Sequence, residues 1–229
     1  MIYACQIAPK QYKLLNSFRA YPEPDKDTYY WYVSNFTPDM DKYQVILAIE
    51  KMFGIWQRGL DQIKPIGSYL HFKSTDDISK AHFIISFGSH VHKFKDNWGN
   101  EHTCPFNFDG KGKVLAHAWD LIIDKPYGGQ IHMDDSENWG SLHSNNSTDI
   151  LTALLHETGH ALGLDHSQIR ESIMYASYSG SKNRLAQDDI QGLSKRFGKI
   201  KKKVYNKYYQ KETKRPRMSL KQLIQILLG

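Results

Sequence analysis

A chain of 229 residues with 40% hydrophobic content can bury one sizeable core, and it contains no run of eighteen apolar residues, which excludes a predicted transmembrane span. The net charge of +6 is unevenly distributed, because residues 199–229 hold ten Lys and Arg against one acid, a net of +9, and the rest carries −3. We therefore predict an N-terminal segment (1–27), one globular domain (28–198) and a basic C-terminal tail (199–229) that ends in a short amphipathic helix.

The first elements predicted along the chain are β-strands. Segments rich in Tyr, Trp, Ile and Val occupy 28–33, 69–72 and 82–87. Helical patterns follow the first strand, precede residue 156 and recur near the end of the domain. These features predict an α+β fold, with a mixed sheet and helices packed on it. The apolar positions of the first helix are Val45, Ile46, Ile49, Met52, Phe53 and Trp56.

The most informative run, at residues 156–166, reads His-Glu-Thr-Gly-His-Ala-Leu-Gly-Leu-Asp-His. His156 and His160 are four residues apart in a helical pattern, so both imidazoles project from one helix face. Gly163 can take the positive φ that ends a helix and turns His166 towards them. Three neutral nitrogens on a tetrahedral zinc leave the fourth position open for water. Glu157 is placed to take the proton of this zinc-bound water and deliver it to a leaving amine, which predicts hydrolysis of peptide bonds.

Methionine follows this motif at a distance that is typical of metzincins. Met174 lies eight residues past His166, as in the turn beneath the zinc of that clan. A lone methionine would indicate core packing only, but behind the histidine motif it supports the metal-site interpretation.

With these motifs, the chain resembles the matrixins, the matrix metalloproteinase family, from about Asp27 to Gly198. The resemblance implies a metzincin fold, with a mixed, twisted five-stranded sheet, three helices and an active-site cleft across the domain. No hemopexin-like domain pattern is recognisable in the chain. Besides the zinc motif and the first helix, the matching blocks are 34–40, 108–110 with 115–118, 128–139, and 185–190 with 192–193.

By resemblance, a second, structural zinc is expected. The matching positions are His102, His117 and His132, with Cys104 where the family has aspartate. A thiolate is a good zinc ligand, so one cysteine and three histidines form an ordinary tetrahedral set. A buried free thiol remains the alternative for Cys104. His90 and His92 lie in an apparent insertion before His102 and could compete as ligands, although a solvated loop is the favoured interpretation.

Calcium is also implied by the resemblance, since hard oxygen ligands suit it. The alternative is an ordinary acidic loop. A second family site would use an aspartate at position 130, where this chain has Gln130. For the first site, the matching carboxylates and loop carbonyls are Asp109, Gly110, Gly112, Val114, Asp134 and Glu137.

Substrate binding is expected to follow the family as well. Leu115 and Ala116 would present an edge strand to which an extended peptide adds through main-chain hydrogen bonds. A specificity pocket would lie between the His156 helix and the loop after Met174. Thr152 would form its floor, with room for a sizeable apolar side chain, and Tyr178 its wall.

Cys5 has two interpretations. Matrixin zymogens hold a cysteine on the catalytic zinc, and Cys5 lies 32 residues before Thr37, close to the family separation. Only Cys5 and a displaced Pro9 fit the latency pattern, so a latency thiol and an unrelated N-terminal cysteine both stay open. The start of the chain lacks the basic residues and apolar stretch of a secretory signal, and work outside cells is expected from resemblance alone.

Two functions from different classes follow. The first is a monomeric zinc endopeptidase that cuts extended protein substrates such as matrix components. The second is a catalytically inert, metal-stabilised module that binds through its basic tail to an anionic polysaccharide or a membrane surface; nucleic acid is a weaker candidate partner. Glu157 favours the enzyme, because a binding module needs the zinc ligands but not the base.

Overall fold

The computed structural model describes residues 28–63, 70–121, 123–141 and 146–197. The strands are β1 (Thr28–Val33), β2 (His71–Ser74), β3 (Phe83–Gly88), β4 (Lys93–Lys95), β5 (Glu101–Thr103), β6 (Ala116–Ala118), β7 (Gln130–Asp134), β8 (Trp139–Gly140) and β9 (Thr148–Asp149). The helices are α1 (Lys42–Asp61), α2 (Ile150–Ala161) and α3 (Gln187–Phe197), with a 3-10 turn at Ile78–Lys80.

The main sheet has five strands in the order β2-β1-β3-β7-β6. β1, β2, β3 and β7 run parallel, whereas β6 pairs antiparallel with β7 and forms one edge. β3 is buried almost throughout, as expected for a strand covered on both faces. The predicted α+β class, with a mixed five-stranded sheet and three helices, is confirmed. The matching block 34–40 lies in the loop and turn after β1.

The two long helices pack on each other through an apolar contact. α1 buries the residues that the helical spacing predicts, including Val45, Ile49 and Trp56. The indole N–H of Trp56 donates to the carbonyl of Leu155 at 3.2 Å, which fixes α1 against α2. All twelve residues of α2 are buried, so the helix that carries the histidine motif runs through the core.

A second, smaller core lies beneath the antiparallel hairpin of β4 and β5. It consists mainly of aromatic side chains and includes the buried Cys104.

Among the described residues, no helix is both long and apolar enough to cross a membrane.

Candidate metal centres and active site

The three histidines of the motif converge at the end of α2. The Nε2 atom of His160 lies 3.1 Å from Nε2 of His156 and 3.2 Å from Nε2 of His166. Gly163 adopts a φ of +86°, the left-handed conformation that reverses the chain and returns His166 to the helix. The predicted His156, His160 and His166 are therefore brought together, and we call them the three-histidine centre.

The chemistry of this centre fits a divalent metal. The opposite ring nitrogens are oriented by backbone: Nδ1 of His156 donates to the Ile173 carbonyl at 2.8 Å, and Nδ1 of His160 to the Leu164 carbonyl at 2.8 Å. This tautomer leaves both Nε2 lone pairs facing inward. Ligands at 2.0–2.1 Å from a tetrahedral zinc would be roughly 3.3 Å apart, close to the observed separations.

Burial keeps these imidazoles neutral. It lowers the pKa of His156 well below its usual value, the pKa of His160 to about 4, and the pKa of His166 in the same direction. A neutral histidine is the form that binds a metal, so no proton has to be displaced at ordinary pH.

Met174 packs directly beneath the histidine helix. A Cβ on Gly159 would overlap the sulfur of Met174, so the glycine of the motif makes room for the methionine. The carbonyl of Met174 accepts from the N–H of Ser167 at 2.8 Å, which ties the methionine turn to the residue after His166.

A pocket opens beside the centre. Glu157, 2% exposed, lines it together with His156. Three of the four predicted substrate residues, Leu115, Thr152 and Tyr178, also line the pocket, whereas Ala116 lies on β6.

Lys182, which no sequence motif indicated, forms part of the pocket wall. The Thr152 hydroxyl accepts from the backbone N–H of Lys182 at 2.7 Å and donates to the Asp149 carboxylate at 2.5 Å. The loop that bears Tyr178 and Lys182 is thereby fixed to the start of α2.

A second cluster comprises His92, Cys104, His117 and His132, which we call the Cys–His cluster. The Nε2 of His92 and the Nε2 of His117 lie 3.0 and 3.2 Å from Nδ1 of His132, and the Cys104 sulfur is 3.3 Å from Nε2 of His117. Burial lowers the pKa of His117 to about 3 and raises that of the Cys104 thiol to about 11. A metal bound here must therefore displace the thiol proton.

His92, and not His102, completes this cluster, which corrects the sequence prediction. Phe94 pairs with His102 in the β4–β5 hairpin, and the backbone N–H of Cys104 donates to the His92 carbonyl at 2.9 Å. The pairing register therefore sets His92 opposite Cys104, with His102 two positions nearer the hairpin tip, about 7 Å along the strand.

His102 instead contacts Asp96, at 2.7 Å between Nε2 and Oδ2. The turn between β4 and β5 closes over the same carboxylate, which accepts the backbone N–H groups of Trp98 and Asn100. Burial alone would raise the pKa of Asp96, but hydrogen bonds from His102, Asn100 and the two N–H groups outweigh it and lower the pKa to about 2.

Comparison with known proteins agrees with this geometry. A family model described as matrixin matches residues 23–198, more than half of the chain and the whole of both clusters. The chain belongs to the matrixin family. Membership confirms the family resemblance and the fold, and it supports metallopeptidase chemistry at the level of the family.

Individual relatives of this matrixin are similar at about one third identity. Matrix metalloproteinase-27 of Tupaia belangeri is 34% identical over 169 residues, 72% of this chain and 29% of the relative. Matrix metalloproteinase-C of Caenorhabditis elegans is 32% identical over 179 residues, which are 72% of this chain and 27% of the relative. The hatching enzyme of Paracentrotus lividus is 34% identical over 164 residues, which are 71% of this chain and 24% of the relative. The matrixin chain thus spans less than a third of the length of these relatives.

The acidic residues expected to bind calcium in this matrixin have ligand atoms that are less closely grouped than those of its two histidine clusters. Asp134 is fully buried and Glu137 is 5% exposed. Burial, together with the charge of Asp109, raises the pKa of both. The backbone N–H of Gly112 donates to Glu137 at 2.5 Å, and that of Val114 to Asp109 at 3.4 Å.

Such mutually repelling carboxylates would gain from a cation. The backbone of this loop turns at Gly110 and Gly112, both with positive φ. Neither buried acid belongs to a group of ligand atoms within 4.8 Å of one another, as both histidine clusters do, in the part of the chain that the structure describes. At the second family position, the Gln130 amide donates to the carbonyl of Lys95 at 3.0 Å, a neutral contact where the family has a carboxylate.

Several predictions lie outside the described residues. They are the N-terminal segment 1–27 with Cys5, and the basic tail 199–229 with its short amphipathic pattern.

Proposed function

We propose that this matrixin is a zinc-dependent endopeptidase whose active centre consists of His156, His160, His166 and Glu157. The observation that carries the proposal is the convergence of three neutral Nε2 atoms, 3.1 and 3.2 Å apart, beside a buried glutamate at the mouth of a pocket. A buried carboxylate with no role in metal ligation is the group that a hydrolytic centre requires and a structural metal site does not.

The roles of the side chains follow from their positions. Zinc bound by the three imidazoles would supply a Lewis acid that lowers the pKa of water and polarises a carbonyl. Glu157 accepts the proton of the attacking water at a carboxylate oxygen and returns it to the nitrogen of the departing amine. Ile173 and Leu164 hold the imidazoles in the tautomer that keeps Nε2 available.

Substrates are proposed to be extended protein segments. β6 forms the edge of the main sheet, and a peptide that adds to it by backbone hydrogen bonds would cross the centre with a side chain in the pocket. Proteins of the extracellular matrix type, and work outside cells, are proposed on the basis of the family.

The Cys–His cluster is proposed to bind a second, structural zinc through His92, Cys104, His117 and His132. Four inward ligand atoms within 4.8 Å, with no place left for water, are typical of closed structural sites. Calcium is proposed at Asp109, Asp134 and Glu137, because it would offset the repulsion among these carboxylates.

The test is cleavage of a quenched fluorescent peptide by the full chain in calcium buffer. The Glu157→Ala variant and chelator-treated protein serve as controls, and we expect activity only in the untreated wild type. Cleavage that survives in Glu157→Ala would contradict the assigned base. If zinc-loaded wild-type protein does not cleave the peptide, even after treatment with a thiol-modifying reagent, the endopeptidase proposal is overturned in favour of a binding module. Activity without any such reagent would argue against Cys5 as a latency thiol.

A further inference from the structure

The segment 172–174 orients one proposed zinc ligand, His156, and is tied to the residue that follows another, His166. The Ile173 carbonyl accepts the Nδ1 hydrogen of His156 at 2.8 Å. The Met174 carbonyl accepts the N–H of Ser167, the neighbour of His166, at 2.8 Å. The direction of the His156 imidazole, and the position of the backbone after His166, therefore depend on how firmly these three residues are held.

A buried carboxylate holds this segment from one side. Asp189, in the first turn of α3, is 2% exposed. Its Oδ2 accepts the backbone N–H of Ile173 at 3.0 Å, and its Oδ1 accepts the hydroxyl of Ser172 at 2.5 Å and the N–H of Met174 at 3.2 Å. A further N–H, from Ala186, donates to Oδ2 at 2.7 Å. Four donors on one carboxylate are a strong, directional anchor.

A lysine holds the same segment from the other side. The ammonium of Lys182 donates to the Ser172 carbonyl at 2.5 Å and to the Arg170 carbonyl at 2.8 Å. The Ser172 carbonyl and the Ile173 N–H belong to one peptide group. That peptide group therefore lies between a cation on its oxygen and an anion on its nitrogen, a charge-assisted contact at each end.

We propose that Asp189 and Lys182 act together as positioning residues for the three-histidine centre, clamping the 172–173 peptide group and thereby fixing the orientation of His156. The inference rests on the proposed function, since it assumes that the centre binds a metal. It also connects the pocket to the metal, because Lys182 lies in the pocket wall.

The clamp predicts a metal-retention defect in variants that change no ligand. In Asp189→Asn an amide N–H₂ replaces one acceptor and opposes at least one backbone donor. Outer partners of metal ligands typically change affinity by 10–100-fold, so we expect metal release from the three-histidine centre to be about tenfold faster. Lys182→Met keeps the aliphatic chain and removes the ammonium, and we expect release to be about threefold faster. The double variant should fall short of the product of the two effects, because both residues act on one peptide group.

Release is measured on the full-length protein loaded with Co²⁺ and mixed with a chelator. Cobalt in the Cys–His cluster is recognised by a thiolate charge-transfer band that the three-histidine centre lacks, so the two sites are followed separately. Asp120→Asn, which breaks the ion pair with Arg196 that ties α3 to the domain elsewhere, and Lys195→Met, on the exposed face of α3, are the matched controls. Both should release cobalt as the wild type does.

Release within twofold of the wild type in both clamp variants would overturn the clamp. So would equal acceleration at both metal sites, since that indicates general destabilisation. If Asp189→Asn does not fold, Lys182→Met and Ser172→Ala, which removes one donor to Asp189, carry the same test. Failure of the wild type to bind cobalt at the three-histidine centre or to cleave peptide would instead refute the proposed function. If the wild type binds cobalt and cleaves peptide, and the clamp variants release cobalt at the wild-type rate, only the clamp is refuted.

Discussion

The two histidine clusters differ in the contacts that orient their imidazole rings. In the three-histidine centre, the outer nitrogens of His156 and His160 donate to backbone carbonyls, so hydrogen bonds set the ring directions. In the Cys–His cluster, Nδ1 of His92 contacts the His90 carbonyl at 3.1 Å, but Nδ1 of His117 and Nε2 of His132 have no hydrogen-bond partner among the described residues. Aromatic rings support these imidazoles instead: Phe108 lies 4.7 Å from His117 and Phe94 lies 4.9 Å from His132, between ring centroids.

This difference matches two tasks. A centre that handles substrate has to keep fixed ligand directions while one side stays open, and hydrogen bonds provide directionality. A closed site only has to bring four ligands together, and packing around a small aromatic core does so.

Loss of the proposed base should lower the rate of peptide cleavage without lowering the zinc content. In Glu157→Gln we expect kcat/KM to fall by about 10²–10⁴-fold, because general acid–base catalysis is lost, while the zinc content stays at the wild-type value. Peptide cleavage and metal analysis on the same preparation provide the measurement. A parallel loss of zinc would mean that Glu157 supports the site rather than the reaction.

Removal of a cluster ligand should affect stability more than catalysis. We expect His92→Ala to lose one metal equivalent and about 3 kcal/mol of stability or more, roughly 10 °C in Tm, because metal binding contributes to folding. His102→Ala, the matched control from the same hairpin, should keep its metal. The opposite pattern in thermal melts and metal analysis would restore His102 as the ligand.

The hairpin that carries His92 and Cys104 should weaken in acid. Asp96 has its pKa lowered to about 2, so its contribution to stability is present above the ordinary aspartate pKa near 4 and is lost as the pH falls from about 4 to about 2. We expect this contribution to be about 1 kcal/mol after solvent screening. Urea melts of the chelator-treated chain over this pH range should show a shallower acid slope in Asp96→Asn, and an unchanged slope would contradict the assignment.

The smallest effect is expected at the pocket. Thr152→Val keeps the shape of the side chain but removes the hydroxyl that binds Lys182 and Asp149. We expect the ratio of kcat/KM for peptides with long and short apolar side chains at the pocket to change about threefold, because the wall is less firmly held. A uniform decrease for both peptides would argue against a role in selectivity.

The sequence was informative where geometry is local. Residues spaced four apart on one helix must share a face, so His156 and His160 could be paired without any tertiary information, and the five-stranded fold followed from the family resemblance. The residue pattern offers His92 only as a competing ligand, because the register of a short hairpin is not visible in it. Asp189 lies in the matching block 185–190 and Lys182 in no motif, but the contact of both with residues 172–174 depends on how α3 and a loop meet α2, which the sequence does not reveal.

The complete burial of α2 bears on how such a protein can diverge through evolution. Every position on this helix is buried, so a substitution there is constrained by packing. The loop at 175–182 borders the same pocket, yet all of its residues are at least partly exposed. Changes in the proposed substrate preference can therefore accumulate at 175–181, whereas Lys182, which holds the Ser172 carbonyl, is constrained together with the three-histidine centre.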